Sequence, residues 1–115
     1  MTAAVAARTR GAPGDASFEI SAASSGRLVA RGALTFATAR RARAQGLAAL
    51  RNASGGLTID CAAISRVDSA GLAVLLDWLA AARRAGRPLR YEQLPEGLLG
   101  LARISAVDEL LLKGI

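Results

Sequence analysis

The sequence predicts an α/β domain, and three observations predict it. Segments of two-residue apolar alternation are interleaved with segments of helical period. Their order is β-β-α-β-α-β-α-α, so each strand after the first two is reached through a helix, which calls for parallel pairing by crossover. The chain has 115 residues, enough for one domain with one core. Hydrophobic residues make up 52% of it and aromatic residues only 3%, so that core is built from Ala, Val, Ile and Leu.

Residues 1–16, "MTAAVAARTRGAPGDA", mix Gly, Pro and small residues without a period. They read as a flexible tail ahead of a single domain over 17–115. "SFEISA" alternates, with Phe18 and Ile20 on one side and Glu19 and Ser21 on the other, as a half-buried strand does. "SSG" at 24–26 is a turn, and "RLVARGAL" is the second arm of an antiparallel hairpin.

"LTFATARRARAQGLAALRNASGG" reads as a helix that starts with Thr35 or Thr38 as N-cap and ends near Asn52. Its Arg40, Arg41, Arg43 and Arg51 form a solvated face. "LTIDC" at 57–61 is short, apolar and β-branched, as a central strand is, and a loop follows from Ala62 to Val67. The next helix runs to about Ala85, where Gly86 and Pro88 stop it. "PLRYEQL" is a strand. "PEGLLGLARI" is a short helix with Pro95 near its first turn, and "SAVDELLL" is a final turn or two capped by Ser105.

The formal net charge is +6, nearly all of the positive charge being arginine, with Lys113 the only lysine. A nucleic-acid partner is a weak reading of that charge. The arginines are spread from Arg8 to Arg103, only Phe18, Phe36, Trp78 and Tyr91 could stack on bases, and no zinc-finger or RNA-recognition pattern occurs. The single cysteine, Cys61, allows no internal disulfide and suits a reducing compartment. The chain has no histidine, so the usual imidazole base and the usual zinc site are both missing; no cofactor and no metal are expected. No uncharged run approaches a membrane span, and the apolar part of the N-terminus is too short for a secretory signal. The expectation is a cytoplasmic protein without direct membrane insertion.

The helix beginning "DSAGLAVLLDWLAAARR" has more apolar surface than one contact needs. Leu72, Leu75, Leu76 and Leu79 share a stripe suited to lying on the sheet, while Ala70, Val74, Trp78 and Ala81 fall roughly opposite. Two readings stand for that second stripe. Trp78 tucks against a neighbouring helix, or Val74 and Trp78 are partly exposed and dock another protein. At the mouth of the helix, either Asp68 or Ser69 can cap a free backbone N–H. Gly71 in the first turn lowers helix propensity and suggests close approach by something.

Ser69 lacks the means of a catalytic nucleophile: there is no histidine to activate it and no Gly-x-Ser-x-Gly elbow. "SGGL" at 54–57 lacks the spacing and the lysine of a phosphate-binding loop. The chain is therefore not read as an enzyme. Phosphorylation of Ser69 by a partner kinase stays open, because the helix dipole tolerates a phosphate there.

The element order and "LTIDCAAISRVDSAGLAVLL" resemble the STAS domain, shared by sulfate transporters and anti-sigma factor antagonists, over most of 17–112. In that family an Asp-Ser/Thr-x-Gly-Leu stretch leads from a strand into the second helix; here the matching residues are Asp68, Ser69, Gly71 and Leu72. The resemblance implies a four-stranded mixed sheet with helices packed on one face, and a role in protein–protein contact. Two branches fit. In anti-sigma factor antagonists, the serine matching Ser69 is phosphorylated by an anti-sigma factor kinase. In the MlaB-like branch, the matching Ser or Thr lies at the contact with the cytoplasmic ATPase of a phospholipid-transport ABC system. "DSAGLAVLLDWLAAARRAGRPLRYEQLPEGLLGLARISAVDELL", with Leu94-Pro95 and its tail, is closer to the MlaB-like branch. That resemblance implies a non-catalytic subunit, held peripherally at the inner membrane by its partner. It would bind the ATPase through helix 70–85 and segment 95–104, with Asp68, Ser69, Gly71, Val74 and Trp78 as the partner-binding set.

Overall fold

The computed structural model describes residues 17–115, so the tail expected over 1–16 lies outside the described residues. The elements are β1 (Phe18–Ser24), β2 (Arg27–Leu34), α1 (Ala39–Asn52), β3 (Leu57–Val67), α2 (Ser69–Ala85), β4 (Leu89–Glu92), α3 (Glu96–Ile104) and α4 (Asp108–Lys113). The strands form one sheet in the order β1-β2-β3-β4. β1 and β2 are antiparallel, while β2 with β3 and β3 with β4 are parallel. The α/β fold with a mixed four-stranded sheet is as expected.

Alternation along the strands decides which face is covered. Phe18, Ala30, Leu57, Ile59, Cys61, Leu89 and Tyr91 are buried on one face, beneath the helices. Glu19, Ser21, Arg31 and Arg90 are exposed on the other, where Arg27 reaches across to an ion pair with Glu92. Parallel strands are usually covered on both faces; here the polar residues let one face meet solvent. Burial of the Cys61 thiol, with the Asp60 charge nearby, pushes its pKa up to about 12, which keeps it a small apolar filler. Tyr91 is buried with its hydroxyl donating to Leu75 O at 2.7 Å, which joins β4 to α2.

Each edge of the sheet is paired at its first residues. On β4, Leu89 and the C-terminal Ile115 exchange two backbone hydrogen bonds of 3.1 and 2.9 Å. On β1, the Gln45 amide of α1 takes the place of a neighbouring strand: Ile20 N donates to its Oε1 at 2.9 Å and its Nε2 donates to Phe18 O at 3.4 Å. An edge whose N–H and C=O groups are already paired is a poor template for aggregation.

Three local expectations need correction. Residues 62–67 are not a loop but the second half of β3, paired with Arg31–Leu34 through register shifts. The shifts break the two-residue alternation, so "AAISRV" has no strand period to read. Thr38, one of the two expected caps, does hold the N-cap position of α1, but its side chain makes no capping hydrogen bond. The Thr38 hydroxyl instead donates to Ala33 O at 2.7 Å and accepts from Thr35 N at 3.0 Å, closing the turn between β2 and α1. Finally, Ser105 ends α3, and Val107 occupies the cap position of α4.

Candidate docking site

The second stripe of α2 is resolved by α1. Val74 is 3% exposed and Trp78 0% exposed, so the expectation that they are partly exposed and dock a partner is wrong. The α1 stripe of Ala42, Gly46 and Leu50 is small where the indole lies. A Cβ at Gly46 would come within 2.1 Å of the Trp78 ring, so only glycine fits beneath it. The indole N–H donates to Arg43 O at 3.3 Å, and the Phe18 ring packs against it with centroids 6.2 Å apart. Leu72, Val74, Leu75, Trp78, Leu79 and Ala82 of α2 are all buried, with Trp78 seated against α1. The exposed residues of α2 are Ser69, Ala73, Asp77, Ala80, Arg83, Arg84 and Ala85.

The mouth of α2 is organised by Asp68. Its Oδ1 accepts from Gly71 N and its Oδ2 from Phe36 N, both at 3.0 Å. Asp68 is therefore the N-cap and also a strap between α2 and the β2–α1 turn. Partial burial works against its charge. The backbone N–H groups of Phe36, Gly71 and Ala70, with Arg66 nearby, outweigh that and hold its carboxyl below the usual carboxylate range. Gly71 meets the close approach its position suggested, but from within: a Cβ there would lie 1.9 Å from Leu34 O. It serves the packing of α2 on β2.

Ser69 follows the cap as the first residue of α2. It is exposed, and among the described residues its hydroxyl forms no hydrogen bond. The described residues hold no cluster of three His, Cys, Asp or Glu that could hold a metal.

Sequence reasoning missed one exposed neighbour of Asp68. Phe36, read as part of a helix, sits on the turn before α1 and is 84% exposed. It lines a shallow depression of about 400 Å³ with Thr35, Ala37, Arg66, Val67 and Asp68. The available signal was a large apolar residue between two threonines that could each close a turn. Of the five expected partner-binding residues, Asp68 and Ser69 lie at this surface, while Gly71, Val74 and Trp78 are buried. In the expected second contact segment, Leu98 and Ala102 are buried and Ile104 is exposed. Among the described residues, no helix is long and apolar enough to cross a membrane.

Comparison with known proteins follows this geometry. A family model described as "Mlab, STAS domain" matches residues 18–113. Among curated proteins, none matches the sequence significantly. The solved structure of the anti-sigma factor antagonist SpoIIAA in its unphosphorylated form is similar, with a TM-score of 0.59 and 16% sequence identity, over 86% of this chain and 100% of that one. At that identity the likeness is one of fold.

Proposed function

From the premise that the chain belongs to the family of Mlab-type STAS domains, we propose that it is the non-catalytic STAS subunit of an Mla-type phospholipid-transport ABC system that maintains outer-membrane lipid asymmetry. It works in the cytoplasm, held at the inner membrane by the ATPase subunit it binds. The observation that carries this reading is the family match, which spans nearly every described residue. The docking end is consistent with it: Ser69 presents a small hydroxyl beside a rigid cap, with Phe36 and Ala73 exposed around it. The domain performs no chemistry on lipid or nucleotide. It stabilises the ATPase, or tunes it, by binding one of its states better than another.

One observation favours a second reading, an anti-sigma factor antagonist switched at Ser69. The hydroxyl is exposed and takes no part in capping, so a kinase could modify it without unfolding the helix. The two readings part on the modification and the partner. Mass spectrometry of the protein from its native cells, with affinity purification, is expected to find Ser69 unmodified and an ABC ATPase bound. Stoichiometric phosphoserine with an anti-sigma factor kinase bound would replace this reading by the second.

A further inference from the structure

Charge at the N-terminal end of α1 runs against the helix. Its first turn holds no acidic residue and its cap position makes no side-chain hydrogen bond. Arg40, Arg41 and Arg43 stand there instead, at the positive end of the dipole, where cations are unfavourable. Arg43 pairs with Asp77 of α2 at 3.2 Å, whereas among the described residues Arg40 and Arg41 form no ion pair. Both side chains are exposed. They lie within five residues of Phe36, on the same end of the sheet as Ser69, because β2 and β3 are parallel and both lead into helix N-termini here.

A single exposed phenylalanine is ordinary on a protein surface. This one is held in place. Its own N–H is fixed by Asp68, and the turn that carries it is closed by buried Thr35 and Thr38. A ring presented on a rigid turn loses little entropy when it enters a pocket, which is how anchoring residues work.

We infer that Phe36 is the anchor of the docking surface and that its occupant is a protein face with an apolar socket rimmed by carboxylates that meet Arg40 and Arg41. This rests on the reading of the Ser69 end as the partner-binding surface. A protein fits better than an anionic lipid surface because the small Ser69, Ala70 and Ala73 leave room for another backbone to approach closely.

The test begins in the native cell, with a photoreactive phenylalanine analogue at position 36. Irradiation is expected to join the chain to its partner at an acidic segment; no protein adduct would overturn the inference. Binding of the co-expressed ATPase is then measured for variants. Phe36→Ala is expected to weaken it about thirty-fold, about 2 kcal/mol at 1.4 kcal/mol per tenfold, with the unfolding midpoint unchanged. Arg40→Glu with Arg41→Glu is expected to slow association about tenfold and to reverse its salt dependence, while Arg90→Glu on the open sheet face leaves both as they were. Tight ATPase binding that is equal for wild type and Phe36→Ala overturns the inference and leaves the transporter reading standing. If the wild type binds an anti-sigma factor kinase instead, and Phe36→Ala abolishes that, the transporter reading falls and the inference stands. Binding to vesicles rich in anionic lipid that is lost with Phe36→Ala overturns it in favour of a membrane surface.

Discussion

Replacing Trp78 by alanine should cost the domain much of its stability rather than only its partner. The side chain is fully enclosed. A buried tryptophan removes roughly 150–250 Å² from water, and about 25 cal/mol per Å² gives roughly 4–6 kcal/mol. Alanine retains part of this, so the expected loss is about 3–5 kcal/mol, out of a total that for a domain of this size is about 5–15 kcal/mol. With an m-value of about 1.5 kcal/mol per molar urea, the midpoint falls by roughly 2–3 M. Circular dichroism must follow the transition, because the variant loses the chain's only tryptophan. A companion substitution sharpens the test. Gly46→Ala alone sets a methyl 2.1 Å from the indole and should be destabilising by about 1–3 kcal/mol, less the helix propensity alanine gains. In the Trp78→Ala background the clash is gone, so the same substitution should be stabilising by about 1 kcal/mol. A Trp78→Ala loss below about 1 kcal/mol, or a Gly46→Ala effect that is the same in both backgrounds, would refute the packing argument.

Three further outcomes follow from the mouth of α2 and the β1 edge. Asp68 has a lowered pKa in the fold, so its stabilising share is complete above the unfolded value near 3.9 and is lost as pH falls through the lower folded value. Asp68→Asn turns one of its two accepting oxygens into a donor facing a backbone N–H, so it should lower stability at pH 7 by about 1 kcal/mol and flatten the acid limb of an unfolding titration. Ser69→Ala should leave thermal unfolding within about 0.5 kcal/mol of wild type, since Asp68 is the cap, whereas Gly71→Ala should cost more than 2 kcal/mol because the Leu34 carbonyl blocks the methyl. Gln45→Ala unpairs the Ile20 N–H and the Phe18 carbonyl on the β1 edge and should raise concentration-dependent association in light scattering.

The strands and helices whose apolar period is unbroken were legible in the sequence, and α2 ends at Gly86 in the left-handed conformation as its glycine suggests. The second half of β3 was not legible. Its register shifts destroy the alternation, and only Ile64 and Val67 of "AAISRV" carry apolar bulk toward the protein. Trp78 could not be settled from its own helix, because its environment is a glycine 32 positions earlier on α1. A mid-helix glycine is costly, and the reason for Gly46 is the indole it admits. Of the proposed docking surface, the Asp68-Ser69 pair was legible as a helix start, but which of the two caps depends on where the β2–α1 turn lies. Phe36 was missed because helix propensity runs straight through "TFATARR", whereas Thr38 bonds back to β2 and holds those residues in a turn.

Amide hydrogen exchange on the isolated chain and on its complex with the ABC ATPase tests the central claim most directly. The account predicts added protection over residues 35–41 and 65–73, where Phe36, Asp68 and Ser69 meet the partner, and none along β1 or the open face of the sheet. Added protection confined to β1 or the open sheet face, with the Ser69 end exchanging as fast as in the isolated chain, would contradict it.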